Sequence, residues 1–116
     1  MAIDKSLQTG STGLLLLRLL EEQDLYGYEM IELLAERSNN VFSLKAGTLY
    51  PLLHNLERQG YLTSYERAAE TSKVRKYYSI TPKGNRFLRE KESEWGHFTD
   101  AVNRVLKGGS ACVVQA

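Results

Sequence analysis

Seven basic side chains (Arg67, Lys73, Arg75, Lys76, Lys83, Arg86 and Arg89) fall between positions 67 and 89, against one acid, Glu70. Tyr65, Tyr77 and Tyr78 are interleaved among them or lie beside them. Cations set close together with few carboxylates to neutralise them suit a polyanion, and a phosphate backbone needs such a continuous acid-poor surface. The bland alternative is a solvated strand whose Lys and Arg protect a sheet edge. The segment just before argues against it. Thr48, Pro51, His54, Asn55 and Arg58 recur on one helical face that carries no acid apart from Glu57 at its edge. The acids are concentrated elsewhere: Glu21 to Arg37 holds six of them and a single base. A formal net charge of +1 therefore hides a strongly polar chain.

Other chemistries find little support. The two histidines, His54 and His97, are too few and too far apart to pair as metal ligands on one helical turn. A single cysteine, Cys112, excludes an internal disulfide and a Cys-based zinc site, and it has no basic neighbourhood to activate it. No Ser or Cys sits in a nucleophile-elbow context. Thr9-Gly10-Ser11-Thr12-Gly13 is faintly like a phosphate loop, but it lacks the Gly-Lys-Ser/Thr ending and a preceding strand, so it reads as a helix start. No catalytic constellation, cofactor site or metal site is expected. The longest apolar stretch, Leu14 to Leu20 interrupted by Arg18, is far short of the ~20 residues that span a bilayer. With no signal-peptide pattern, the expectation is a soluble, cytoplasmic chain without membrane contact.

The elements that must position the basic surface follow from periodicity. A first helix is expected from Asp4 to Glu22, apolar on nearly every face around Leu14, Leu17 and Leu20. A turn at Asp24 to Tyr28, punctuated by Gly27, leads to a second helix ending at Ser38-Asn39-Asn40. Leu49, Leu52, Leu53 and Leu56 fall at i, i+3, i+4 and i+7, which predicts a third helix from Ala46 or Gly47 to Gln59, stopped by Gly60. Pro51 is tolerable there if regular helix begins near Thr48, leaving the proline in the first turn. Alternating residues predict strands at Tyr61–Arg67 and Val74–Thr81. Thr81 and Pro82 then supply an N-cap and first position for a last helix, which continues to about Lys107.

Helix, turn, helix and hairpin is the order of a winged helix. The fold class is thus mainly α with a small β-hairpin: a winged helix-turn-helix plus a long C-terminal dimerisation helix. Residues 1–81 would form the DNA-binding domain, 82–107 the dimerisation helix and 108–116 a flexible tail. Read as heptads, the last helix has a seam with Leu88, Trp95 and Val102 at position a and Lys91, Phe98 and Val105 at d. A second copy of the chain, with Leu14 and Leu17 of the first helix, is expected to cover it.

The residues also match a known family. Tyr26-Gly27-Tyr28-Glu29-Met30, Gly47-Thr48-Leu49-Tyr50-Pro51-Leu52-Leu53, Gly60-Tyr61-Leu62 and Arg75-Lys76-Tyr77-Tyr78-Ser79-Ile80-Thr81 together resemble the PadR family of bacterial transcriptional regulators. The short single C-terminal helix is similar to the small subfamily, in which that helix makes the homodimer. The resemblance implies a dimeric repressor on a near-palindromic DNA operator, often relieved by a small molecule. By position it carries DNA contact to Thr48, Tyr50 and Pro51 at the start of the recognition helix, with Lys45 just before them. Lys73 and Arg75 flank the wing, and Tyr28 lies near a phosphate at the start of the second helix. The wing tip, Ala68 to Lys73, has no glycine, whereas many relatives are glycine-rich there.

His54 and Asn55 could read base edges, although each residue type more often just solvates a helix. Tyr50 could contact a phosphate or cover the core. Trp95 is expected in the dimer core, with a sharper reading in which two indoles stack a flat aromatic effector. Two further classes of function stand beside the regulator: a winged-helix protein-interaction module without DNA affinity, and a small-molecule carrier using the dimer cavity.

Overall fold

The computed structural model describes residues 5–70 and 73–115, and side-chain surroundings for 11–70 and 73–108. The elements run α1 (Lys5–Glu22), β1 (Leu25–Tyr26), α2 (Gly27–Arg37), α3 (Ala46–Arg58), β2 (Leu62–Ala68), β3 (Val74–Ile80) and α4 (Pro82–Gln115). The strands form one antiparallel sheet in the order β1-β3-β2. Leu62 pairs with Ile80 at the base of the hairpin and Ala68 with Val74 at its tip.

α1 is apolar all round because it is the central element, packed against α2, β3 and α4. Leu16, Leu17, Leu19 and Leu20 are buried there, and Met30, Leu34, Leu49, Leu53, Leu62, Tyr78 and Leu88 close the core around them. The amphipathic repeat of α3 does what its spacing predicts: Leu49, Leu53 and Leu56 are buried and Leu52 is half-buried.

The helix ends follow local chemistry. After Gln59, Gly60 takes φ +86°, and two bonds close α3, Gly60 N–H to Glu57 O at 2.9 Å and Tyr61 N–H to Leu56 O at 3.0 Å. This left-handed closure suits glycine because it has no Cβ to clash. Thr81 caps α4, its hydroxyl accepting the Gly84 N–H at 2.9 Å and donating to Gly60 O at 2.7 Å. The end of α3 and the start of α4 are thereby bolted together.

Several expectations need correction. The turn at Asp24 to Tyr28 contains a strand: Leu25 and Tyr26 pair with Tyr78 and Tyr77, so the sheet has three strands rather than a lone hairpin. α3 begins at Ala46, which puts Pro51 in its second turn, where it leaves the Gly47 carbonyl without its helical donor. The stretch from Thr9 to Gly13 lies inside α1 rather than at its start. Leu17 and Leu88, expected at a dimer contact, are each 0% exposed in the single chain, because α1 and α4 of one subunit cover them. α4 kinks at Gly108 (φ 60°, ψ −155°), where the break is expected, and helix resumes to Gln115 over the expected tail. The proposed helix start at Asp4 and the surroundings of Cys112 lie outside the described residues.

Candidate nucleic-acid interface

α3 presents Thr48, Pro51, His54, Asn55 and Arg58 to solvent, and all five are exposed. Its first turn, Ala46 to Thr48, is exposed as well and holds no acid, and Lys45 stands at the N-cap without a side-chain capping bond. The free N–H groups and positive end of the helix dipole favour an anion there. Asn55 accepts a hydrogen bond from Arg58 Nη2 at 3.1 Å, which fixes its carboxamide on this face. Tyr28, 60% exposed, stands in the first turn of α2.

Tyr50 differs from these neighbours. Although partly exposed, it lies with its ring edge and hydroxyl against the backbone of Gly27 at the start of α2.

The hairpin supplies the second part of the surface. On its outer face Tyr65 and Tyr77 are stacked at 5.8 Å, and Tyr26 meets Tyr77 edge-on at 5.5 Å. One row nearer the tip, Arg67 pairs in register with Arg75. Like charges directly opposite repel. The chain separates them by stacking: the Arg67 guanidinium lies 4.0 Å from the Tyr77 ring and that of Arg75 lies 4.4 Å from Tyr26. Each stack leaves the guanidinium edge available. Lys73 is exposed at the start of the tip's return; Thr71 and Ser72 lie outside the described residues. Tyr65 donates to Asp24 at 2.6 Å, and that bond holds its phenol above its ordinary pKa.

Ion pairing divides the cations into two groups. Arg18, Arg37, Arg89 and Lys91, on α1, α2 and α4, each have a carboxylate partner. Among the described residues no such pair falls on α3, β2 or β3. Arg89, the last member of the basic run in the sequence, is thus drawn away from it by Glu21 and Glu92. Arg67 is the opposite case, a residue whose role sequence reasoning missed. Only the strand register shows it standing across from Arg75.

Past its first turns α4 leaves the domain. Trp95 (43%), Phe98 (59%) and Val105 (79%) are exposed large apolar side chains, with Val102 at the margin. Trp95 and Phe98 line a cleft of about 590 Å³ together with Leu14 of α1 and Leu52 and Asn55 of α3. Among the described residues there is no cluster of metal-ligating side chains and no helix long and apolar enough to cross a membrane.

Comparison with known proteins decides the family. Residues 16–90 match the profile of the Transcriptional regulator PadR-like family. The chain belongs to that family. It is 33% identical over 99 residues to an uncharacterized protein of Lysinibacillus sphaericus, spanning 85% of this chain and 91% of that one. The fold of a transcriptional regulator from Clostridium thermocellum superposes with a TM-score of 0.81 at 33% identity, covering 89% of this chain and 97% of that one. A PadR family transcriptional regulator from Eggerthella lenta gives 0.77 at 39% identity, over 87% and 86%. The chain is therefore a PadR winged-helix regulator that works by binding DNA. In winged-helix terms the β2–β3 hairpin is the wing.

Proposed function

We propose that this PadR regulator acts as a homodimeric repressor on a near-palindromic operator, with α3 in the major groove and the hairpin along the flanking backbone. The observation that carries this reading is the division of the cations. Those of the hairpin and α3 lack carboxylate partners among the described residues, while Arg18, Arg37, Arg89 and Lys91 of α1, α2 and α4 are held in ion pairs. Phosphate contact comes from Lys45, Tyr28, Lys73 and Arg75, joined by Arg67. Base reading falls to Thr48, His54 and Asn55, with Pro51 in van der Waals contact. Tyr50 serves chiefly from behind the recognition face.

The stripe of Trp95, Phe98, Val102 and Val105 supports the dimer, because soluble monomers rarely leave such a stripe uncovered. Leu14 borders the same cleft and joins the contact. Two-fold pairing would set the recognition helices about one DNA turn, ~34 Å, apart. A flat aromatic effector stacked on Trp95 would reach both the dimer helix and α3, since both line the cleft.

The test is selection of duplexes from a random pool by the purified chain, followed by competition between the selected and a scrambled duplex. A two-fold symmetric consensus, bound at least about 10³-fold more tightly than scrambled DNA, is expected. Equal binding to both would contradict operator recognition, and no binding to either would favour a protein-interaction module.

A further inference from the structure

Gly27 opens α2 and is buried, yet its backbone does not require glycine, because the positive φ values among the described glycines belong to Gly60 and Gly108. What it requires is space. A Cβ at position 27 would overlap the Tyr50 hydroxyl and come within 2.8 Å of Cζ and 3.1 Å of Cε1. Ordinary carbon contacts lie near ~3.5–4.0 Å. The ring of Tyr50 therefore uses the missing side chain as its seat. It reaches from α3 to the first turn of α2. The next residue, Pro51, removes one helical hydrogen bond from the same turn of α3, so this turn depends more on side-chain packing for its placement.

We propose that Gly27 is a positioning residue for DNA reading, acting through Tyr50: the ring seated on its backbone sets how α3 stands against α2. The proposal rests on the reading that α3 lies along DNA. A methyl at position 27 would turn the phenol out of its seat, toward the face that must lie in the groove. Because the displaced group is the far end of a half-exposed side chain rather than backbone, the chain still folds.

The experiment is a double-mutant cycle of Gly27→Ala, Tyr50→Ala and both together. It is read on affinity for a labelled duplex selected by the wild type, at a temperature well below every melt, and again on the thermal midpoint. Gly27→Ala should weaken binding about tenfold or more, and Tyr50→Ala by a similar factor. The double variant should bind no worse than Tyr50→Ala alone, since the methyl then meets nothing. Losses that multiply in the double variant, or a Gly27→Ala protein that binds like the wild type, would overturn the proposal. A wild type without DNA affinity would sink the regulatory reading instead. The thermal cycle would then decide the pair, with coupled midpoints supporting the seat and additive ones refuting it.

Discussion

Gly84 offers the sharpest test of how α4 is mounted on the winged helix. It is buried at the third position of α4, where its N–H is held by the Thr81 hydroxyl at 2.9 Å. A Cβ there would overlap the Tyr61 carbonyl oxygen and stand 2.8 Å from Ile80 Cγ1 and 3.1 Å from the Tyr61 carbonyl carbon. Backbone cannot swing aside as the end of a side chain can. Relief requires α4 to lift, which strains the Thr81–Gly60 bond and the stack of Tyr61 on Phe87, whose rings are 4.1 Å apart. Overpacking of this kind costs about 1–3 kcal/mol, and a domain of this size loses about 4–8 °C per kcal/mol, so Gly84→Ala should melt roughly 5–20 °C lower. Gly47→Ala is the control, because a Cβ there meets nothing within 4 Å. It should melt at the wild-type midpoint or slightly above. Circular dichroism melts at one fixed protomer concentration read both, since a dimer's midpoint depends on concentration. A Gly84→Ala midpoint at or above that of the wild type would refute the packing argument.

The remaining predictions concern single groups. Tyr78 is fully buried and its hydroxyl has no hydrogen-bond partner among the described residues, so Tyr78→Phe should hold or raise the thermal midpoint; a clear drop would reveal a partner for it. Glu22 is held below its ordinary pKa of 4.5 chiefly by the hydrogen bond from Arg37, with the charges of Arg37 and Arg18 adding to it. Its contribution is present above pH 4.5 and fades as pH falls through the depressed value, so the stability gap between wild type and Glu22→Gln should close in acid; a gap that widens there reverses the sign. Phe98→Glu would set a charge against its own copy on the apolar stripe, and sedimentation should show monomer with operator affinity lost in parallel. An intact Phe98→Glu dimer would place the contact elsewhere.

Local chemistry was the legible part of this fold. Thr81-Pro82 and Gly60 mark helix ends through groups within a few residues, and the leucine repeat of α3 states which face is buried. What depends on distant partners was hidden. β1 is two residues long, too short for any periodicity, and exists because β3 offers an edge for Tyr26 to meet Tyr77. The heptad repeat placed Leu88 on the same stripe as Trp95 but could not say that α1 of the same chain covers one and not the other. Charge counting put Arg67 and Arg89 in one basic run. Register then set Arg67 opposite Arg75, and the packing of α1 on α4 paired Arg89 with Glu21. Neither the seat of Tyr50 on Gly27 nor the sharing of one cleft by Asn55 and Trp95 has a signal in local sequence.

The central claim is that the unpaired cations of the hairpin and α3 bind a phosphate backbone. Its most direct test is the salt dependence of affinity for a selected duplex, measured for the wild type and for the Arg67→Ala/Arg75→Ala double variant. Each phosphate contact contributes about 0.9 to the slope of log affinity against log salt, so the double variant should be shallower by roughly 1.8, with both proteins converging at high salt. Equal slopes for the two proteins would contradict the account.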